Sequence, residues 1–302
     1  MPAHRTLIAV DWGTTALRGA RLDVSGEVLE ERAAERGILS VPAGGFAAVF
    51  EQLFGDWWQD DTLCLMAGMV GSRQGWQEAP YCPCPAGASE LAAALQWLVP
   101  GRLAIVPGVC LPTPPGTDPW STPPDVMRGE ETQVLGALEA LGLQQATLVL
   151  PGTHSKWVQV QAGRIASFRT HMTGECYQWL RHHSLLARSM PESDNGPFDA
   201  DAFAHGVQRA LQGQGLLHNA FGTRTLSLFD LAPAERLPDY LSGLVIGEEV
   251  RHECLTDGPV VLIGAPALQE RYRQALTLAR IPSLQAPAQV GYRALWRLSQ
   301  SL

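Results

Sequence analysis

The chain has no run of about eighteen apolar residues, so it offers no helical membrane span. No cluster of Lys and Arg occurs, and 22 basic against 30 acidic residues leave a formal net charge of −8. That balance argues against a nucleic-acid surface, and an anionic small molecule must find its own local arginine or lysine. Paired CxxC motifs are missing. Among Cys64, Cys82, Cys84, Cys110, Cys176 and Cys254 only Cys82-Pro83-Cys84 is close-spaced, and no histidine stands near it. Reduced structural thiols are expected rather than zinc. The opening, MPAHRTLIAVDWG, reaches Asp11 too soon for a signal peptide, which points to a cytoplasmic protein. Four common signatures are also missing: GxxxxGK[ST], a GxGxxG after a strand, GxSxG and HExxH. The P-loop, dinucleotide, hydrolase-elbow and zincin chemistries go with them.

What the chain does have is 302 residues, 46% apolar and 17% charged. That is enough for two domains, or one large one, around a substantial core. The most informative stretch is Leu7 to Asp23, LIAVDWGTTALRGARLD. An apolar strand ends in Asp11, Gly13-Thr14-Thr15 makes a tight turn, and an alternating strand leaves. Gly13 permits close approach of backbone to a ligand, and the threonines add N–H and O–H donors without bulk. Asp11, ending a buried strand, is placed to hold a divalent cation through water. An ordinary hairpin with a glycine turn is the plain alternative.

Further elements follow from periodicity and turn residues. A third strand, 28–36, completes a meander. Helical spacing covers 46–58, and 62–66 is a buried strand. The loop 67–76 is rich in glycine and carries Ser72, Arg73, Gln74 and Trp76. A helix is expected over 89–98 and a strand over 103–106. Residues 107–124 are dominated by proline and glycine and read either as a surface connection or as a binding lid. A helix follows over 130–141, whose acidic start suits a helix N-terminus. Strands are then expected at 146–150, 157–161 and 164–170, with PGTHSK between the first two. Helices are expected over 174–190, 200–211, 237–254, 268–279 and 288–298, and strands at 259–263 and 281–284. In the helix 237–254, Gly243 and Gly247 stand four apart, which allows close helix packing. The order strand, Gly-Thr turn, strand, Gly turn, strand thus occurs twice, about 140 residues apart. A duplicated fold with one Gly-Thr hairpin per domain accounts for it. Near the C-terminus, a strand, Gly264-Ala265 and a helix N-terminus make a nucleotide-compatible corner.

This order resembles the actin-like ATPase and sugar kinase superfamily. DWGTT (Asp11–Thr15) is similar to its first phosphate motif, LPGTHSKW (Leu150–Trp157) to its second, and VLIGAPAL (Val261–Leu268) to its adenosine motif. The helices 130–141 and 241–249 are similar to its two connecting helices. GMVGSRQGW (Gly68–Trp76), PDVMRGEETQ (Pro124–Gln133), PGTHSKW and GAPALQERY (Gly264–Tyr272) together resemble the 2-dehydro-3-deoxygalactonokinase family over nearly the whole chain.

The resemblance implies an α/β protein with a two-domain, ribonuclease H-like fold. Each domain has a mixed five-stranded sheet flanked by helices, and ATP lies in the cleft. Domains are expected at 1–138 and 139–302, with the last helix packing back on the first. The implied reaction is MgATP-dependent phosphorylation of the 6-hydroxyl of 2-dehydro-3-deoxygalactonate in galactonate catabolism. ATP would meet Gly13, Thr14, Thr15, Gly152, Thr153, Gly264 and Ala265, and Asp11 would orient magnesium waters. Related sugar kinases carry an Asp just before the connecting helix, where this chain reads Arg128-Gly129-Glu130-Glu131. Glu130 is the favoured base, with Glu131 and Asp125 as alternatives. The sugar-acid carboxylate suits an arginine fork. Arg73 is the first choice, flanked by Ser72 and Gln74, and Arg128 is the second. His154 and Lys156 flank the second phosphate turn. Partners are the sugar acid and ATP, with neither nucleic acid nor membrane. A homodimer stays open, as do another sugar substrate and a binding ATPase on the same fold.

Overall fold

The computed structural model describes residues 6–193, 196–253, 258–288 and 290–302. Cys254 lies outside them, and the other five cysteines are free thiols. The chain divides into two compact units. One is 1–145 with 159–168 and 286–302; the other is 146–158 with 169–285.

In the first unit β1 (Thr6–Trp12), β2 (Leu17–Leu22) and β3 (Val28–Ala34) form the expected meander. Helix α1 (Phe46–Phe54) and strand β4 (Thr62–Ala67) follow, and β4 is buried at every position. The short strand β5 (Cys82–Pro83) leads to helix α2 (Ala88–Ala93) and strands β6 (Gln96–Val99) and β7 (Leu103–Ile105). The helix expected over 89–98 therefore stops early. Gln96–Val99 instead pairs antiparallel with β7 as a sheet edge, because tertiary pairing overrides local periodicity in so short a segment. Strands β8 (Val109–Leu111) and β9 (Asp125–Met127) join β5 in a small three-stranded sheet. The proline-rich stretch is thus partly strand, and the segment between β8 and β9 stays without regular structure. Helix α3 (Glu130–Leu141) completes this part.

The large sheet of the first unit has six strands in the order β3-β2-β1-β4-β7-β6, one more than expected. β1 runs parallel to β4 and β4 parallel to β7. Trp12, Phe46, Phe50 and Trp76 pack in one aromatic cluster on it. Trp12 is fully buried and donates its indole N–H to the Arg36 carbonyl at 2.8 Å, which satisfies the one polar atom the ring carries inward.

The second sheet contains β10 (Ala146–Leu150), β11 (Ser155–Gln161) and β12 (Arg164–His171). Helices α4 (Thr173–His183), α5 (Ala200–Leu211), α6 (Leu216–Leu228) and α7 (Leu237–Glu253) follow. Then come β13 (Val260–Leu262), α8 (Pro266–Leu278), β14 (Ser283–Gln285) and α9 (Val290–Ser299). The helix expected over 174–190 ends at His183, with a 3-10 turn after it. Helix α6 was not legible as a helix: Leu217, Phe221 and Leu228 share one exposed face while Leu226 lies on the opposite, partly buried side, so its apolar residues mark no single stripe. The strand order is β12-β11-β10-β13-β14, with β10, β13 and β14 parallel. It repeats the β3-β2-β1-β4-β7 order of the first sheet, the ribonuclease H-like order that the sequence resemblance implies.

Gly243 and Gly247 do allow close packing. A methyl on Gly243 would stand 2.1 Å from the Phe203 carbonyl oxygen, so α7 lies directly against α5. Helix α9 belongs to the first unit and packs on α3, where a methyl on Gly136 would meet the Val290 carbonyl at 1.8 Å.

Candidate active site

In the first unit three strand and helix ends converge. β1 delivers Asp11, directly opposite Ala67 of parallel β4. β4 runs into Gly68, and α3 starts after Gly129. Gly68 has φ +93° and Gly129 φ +105°, a conformation that side chains with a Cβ rarely adopt. A Cβ on Gly68 would meet the Trp12 carbonyl at 2.9 Å and Asp11 Oδ1 at 3.1 Å, and one on Gly129 would meet Gly68 Cα at 3.3 Å. The two glycines thus let the loops close up beside the Asp11 carboxylate.

The carboxylates there repel each other and are poorly hydrated. Burial raises the Asp11 pKa; Arg18 works against this and Glu130 adds to it. Glu130 is partly exposed, and its Oε2 accepts the Arg128 backbone N–H at 3.0 Å. Glu131 is completely buried. Its Oε2 accepts the Gly129 N–H at 2.6 Å, while Oε1 has no partner. Burial first, and the Glu130 charge second, push Glu131 up to about 8. A carboxyl with no exposed surface cannot touch a substrate hydroxyl, which removes Glu131 from the candidates for the base. Asp125 sits in β9, where Oδ1 accepts the Val126 N–H at 2.8 Å.

The two candidate arginines differ. Arg73 reaches into solvent, its side chain 89% exposed, and pairs with Glu78 at 3.1 Å. Arg128 is folded under the loop: Nη2 donates to the Ala79 carbonyl at 2.7 Å, and the guanidinium lies 4.3 Å over the Tyr81 ring. Its Nε and Nη1 are buried without partners. Gln74 is exposed, and the Ser72 hydroxyl is a buried polar atom with no partner.

The first Gly-Thr turn is held by its own unit. Gly13 donates its N–H to the Ala16 carbonyl at 2.9 Å, so this N–H is spent and cannot cradle a phosphate as expected. The carbonyls of Gly13, Thr14 and Thr15 accept from Ile38, Leu39 and Gly37. Thr14 and Thr15 are exposed, and their N–H groups have no partner among the described residues.

In the second unit the Pro151–His154 turn lies beside the C-terminal corner and the start of α4. A methyl on Gly264 would stand 3.5 Å from the Pro151 carbonyl. Gly174 packs so closely that its methyl would meet the Gly152 carbonyl at 2.4 Å. Space around Gly152 itself is open, and Thr153 is exposed. His154 Nε2 stands 2.5 Å from Glu175 Oε2. Lys156, the only lysine of the chain, is buried, and its ammonium donates to the His154 carbonyl at 3.1 Å.

A cavity of about 390 Å³ opens at this turn, lined by Gly152, Thr153, Thr173, Leu268, Arg271 and Tyr272 among others. Its wall on the C-terminal side is the first turns of α8, from Ala267 on, rather than Gly264 and Ala265, which stand exposed before it. Arg271 is fixed there by Asp239 at 3.1 Å and by the Ser242 hydroxyl at 2.9 Å. Sequence reading missed Thr173, Arg271 and Tyr272, since nothing local marks a helix face as a cavity wall.

Among the described residues no group of three or more His, Cys, Asp or Glu is arranged to hold a metal ion. Asp11, at a strand end, would hold a magnesium ion carried largely by phosphate oxygens and water, not one in an all-protein cage.

The model of the 2-keto-3-deoxy-galactonokinase family matches residues 11–298. The chain is 38% identical over 271 residues to the 2-dehydro-3-deoxygalactonokinase of Escherichia coli, a match covering 89% of this chain and 88% of that one. A crystal structure from Sinorhizobium meliloti, described as a 2-dehydro-3-deoxygalactonokinase protein, superposes with a TM-score of 0.86 at 32% identity. It covers 98% of this chain and 97% of its own. Matches of this extent and identity leave one placement: the chain belongs to the 2-keto-3-deoxy-galactonokinase family.

Proposed function

We propose that the protein transfers the γ-phosphoryl group of MgATP to the 6-hydroxyl of 2-dehydro-3-deoxygalactonate. Phosphoryl transfer needs positioning and charge neutralisation rather than covalent chemistry from the protein. The second unit holds the nucleotide: the cavity beneath α8 takes the nucleoside, and the open Gly152-Thr153 turn takes phosphate oxygens on its N–H groups. The first unit supplies Thr14 and Thr15 N–H donors, Asp11 to hold magnesium waters, and Glu130 to accept the hydroxyl proton. Magnesium, when bound, neutralises charge on the transferring phosphates. The observation that carries this reading is the convergence of Asp11, Gly68, Gly129 and Glu130 in one unit. There the Glu130 carboxylate is partly exposed, and its Oε2 accepts the Arg128 backbone N–H.

Arg73 is the arginine for the substrate carboxylate. A solvent-exposed ion pair such as Arg73–Glu78 contributes little, so the guanidinium is easily redirected, whereas Arg128 is committed to Ala79 and Tyr81.

A coupled ADP-release assay tests the reading with MgATP and three substrates: 2-dehydro-3-deoxygalactonate, its gluconate-derived epimer and neutral hexoses. Turnover confined to the galactonate-derived acid is expected. Turnover on a neutral hexose instead would remove the carboxylate role of Arg73.

A further inference from the structure

Behind the nucleotide cavity of the second unit lies a carboxylate that the proposed chemistry does not use. Glu249, on α7, is only 3% exposed. Its Oε1 accepts the Ser155 hydroxyl at 2.7 Å and the Trp157 indole N–H at 2.6 Å. Its Oε2 accepts the Tyr272 hydroxyl at 2.7 Å and the Thr173 hydroxyl. The four donors come from β11, α4 and α8, the three elements that flank the second phosphate turn and the cavity. Ser155 and Trp157 are two apart on a strand, so both face Glu249, while Lys156 between them points the other way. Thr173 and Tyr272 line the cavity itself.

Among the described residues no arginine or lysine is bonded to Glu249. Nearby Arg169 and His171 instead bond Glu253, one turn on. Both carboxylate oxygens are therefore enclosed by four neutral side-chain donors. A hydroxyl has one hydrogen. With those of Thr173 and Tyr272 aimed at Glu249, the carboxylate sets the direction of two hydroxyls on residues that line the cavity.

We infer that Glu249 is the positioning residue of the nucleotide site: it ties the Ser155 end of the phosphate turn, the start of α4 and the face of α8 to one carboxylate, and fixes the direction of the cavity hydroxyls. The inference rests on the second unit being the half that holds the nucleotide.

The test compares wild type with Glu249→Gln by calorimetric titration with MgADP and by steady-state KM for ATP and for the sugar acid. An amide brings two hydrogens into a shell of donors and reorients the hydroxyls. The Kd for ADP and the KM for ATP are expected to rise about tenfold or more, with the KM for the sugar acid unchanged. Wild-type ADP affinity and KM for ATP in the variant, even with a lower Tm, would show a merely structural carboxylate and overturn the inference. Should Glu249→Gln not fold, Thr173→Val and Tyr272→Phe each remove one donor. Weakened ADP binding in either supports the role, and wild-type binding in both overturns it. If wild-type protein binds ADP but does not phosphorylate the sugar acid, the proposed reaction fails while Glu249 keeps its role. If wild-type protein does not bind ADP, the Glu249 inference itself falls.

Discussion

The two Gly-Thr turns look alike in sequence and are supported in different ways. The first is bound from outside by backbone: residues 37–39 donate three N–H groups to the carbonyls of Gly13, Thr14 and Thr15, and Gly13 closes on Ala16. The second leaves Gly152 open and is held from behind, by the close approach of Gly174 and by the Glu249 carboxylate through Ser155 and Trp157. One turn is a stiff ledge beside a cluster of carboxylates. The other is the rim of a cavity. A repeated motif therefore fixes the turn, and the packing around each copy decides which backbone groups it leaves open.

The carboxylate cluster belongs to the first unit alone, so its loss should separate the two most sharply. Glu130→Gln is expected to lower kcat by about 10²–10⁴, with the Kd for ADP unchanged. A fall in ADP affinity of similar size would break the division of labour.

The supports of the two turns can be attacked next. A methyl on Gly37 would stand 2.2 Å from the Thr15 nitrogen, and one on Gly174 would stand 2.4 Å from the Gly152 oxygen. Both neighbours are backbone and cannot swing away, so each alanine variant should cost about 1–3 kcal/mol. Gly37→Ala is expected to lower Tm and kcat together, and Gly174→Ala to lower Tm and weaken ADP binding. The same kinetic change in both would erase the contrast.

Glu131 offers a pH test of the first unit. Its pKa is raised from 4.5 to about 8 by burial, so between those values the folded protein holds a proton that the unfolded chain releases. Stability contributed by that proton is full below 4.5 and is lost as pH rises toward 8. Glu131→Gln mimics the protonated form at every pH. The Tm of the variant should match wild type near pH 5 and exceed it by several degrees near pH 8.5, at about 2–4 °C per kcal/mol. A constant offset across that range would place the carboxyl in contact with water.

The smallest effect on stability is expected at Arg73. Its exposed pair with Glu78 contributes at most about 1 kcal/mol, so Arg73→Ala should leave Tm almost unchanged while raising the KM for the sugar acid. Arg128→Ala should do the reverse and lower Tm, since it empties a buried site over Tyr81. Exchange of these two outcomes would assign the carboxylate to Arg128.

Much of the architecture was legible before any fold was seen. The two meanders, the helix at 130–141 and the strand at 146–150 follow from apolar periodicity and glycine turns, which act within a few residues. The strand at 96–99 was not, because its state depends on pairing with β7. Helix α6 was hidden for a related reason: with apolar residues on both its exposed and its partly buried side it shows no clean helical stripe.

For the site, the sequence alone determined which residue types stand at the strand ends and turns: Asp11, the Gly-Thr pairs, and Glu130 with Glu131 at a helix start. It could not rank the two glutamates or the two arginines. Burial separates Glu131 from Glu130, and the reach of the side chain separates Arg73 from Arg128. Both are sums over neighbours distant in the chain. The same holds for Glu249, an unremarkable acidic residue in a helical sequence until Ser155, Trp157, Thr173 and Tyr272 surround it. Local chemistry is written residue by residue, whereas desolvation and hydrogen-bond closure exist only once the folded chain brings distant residues together.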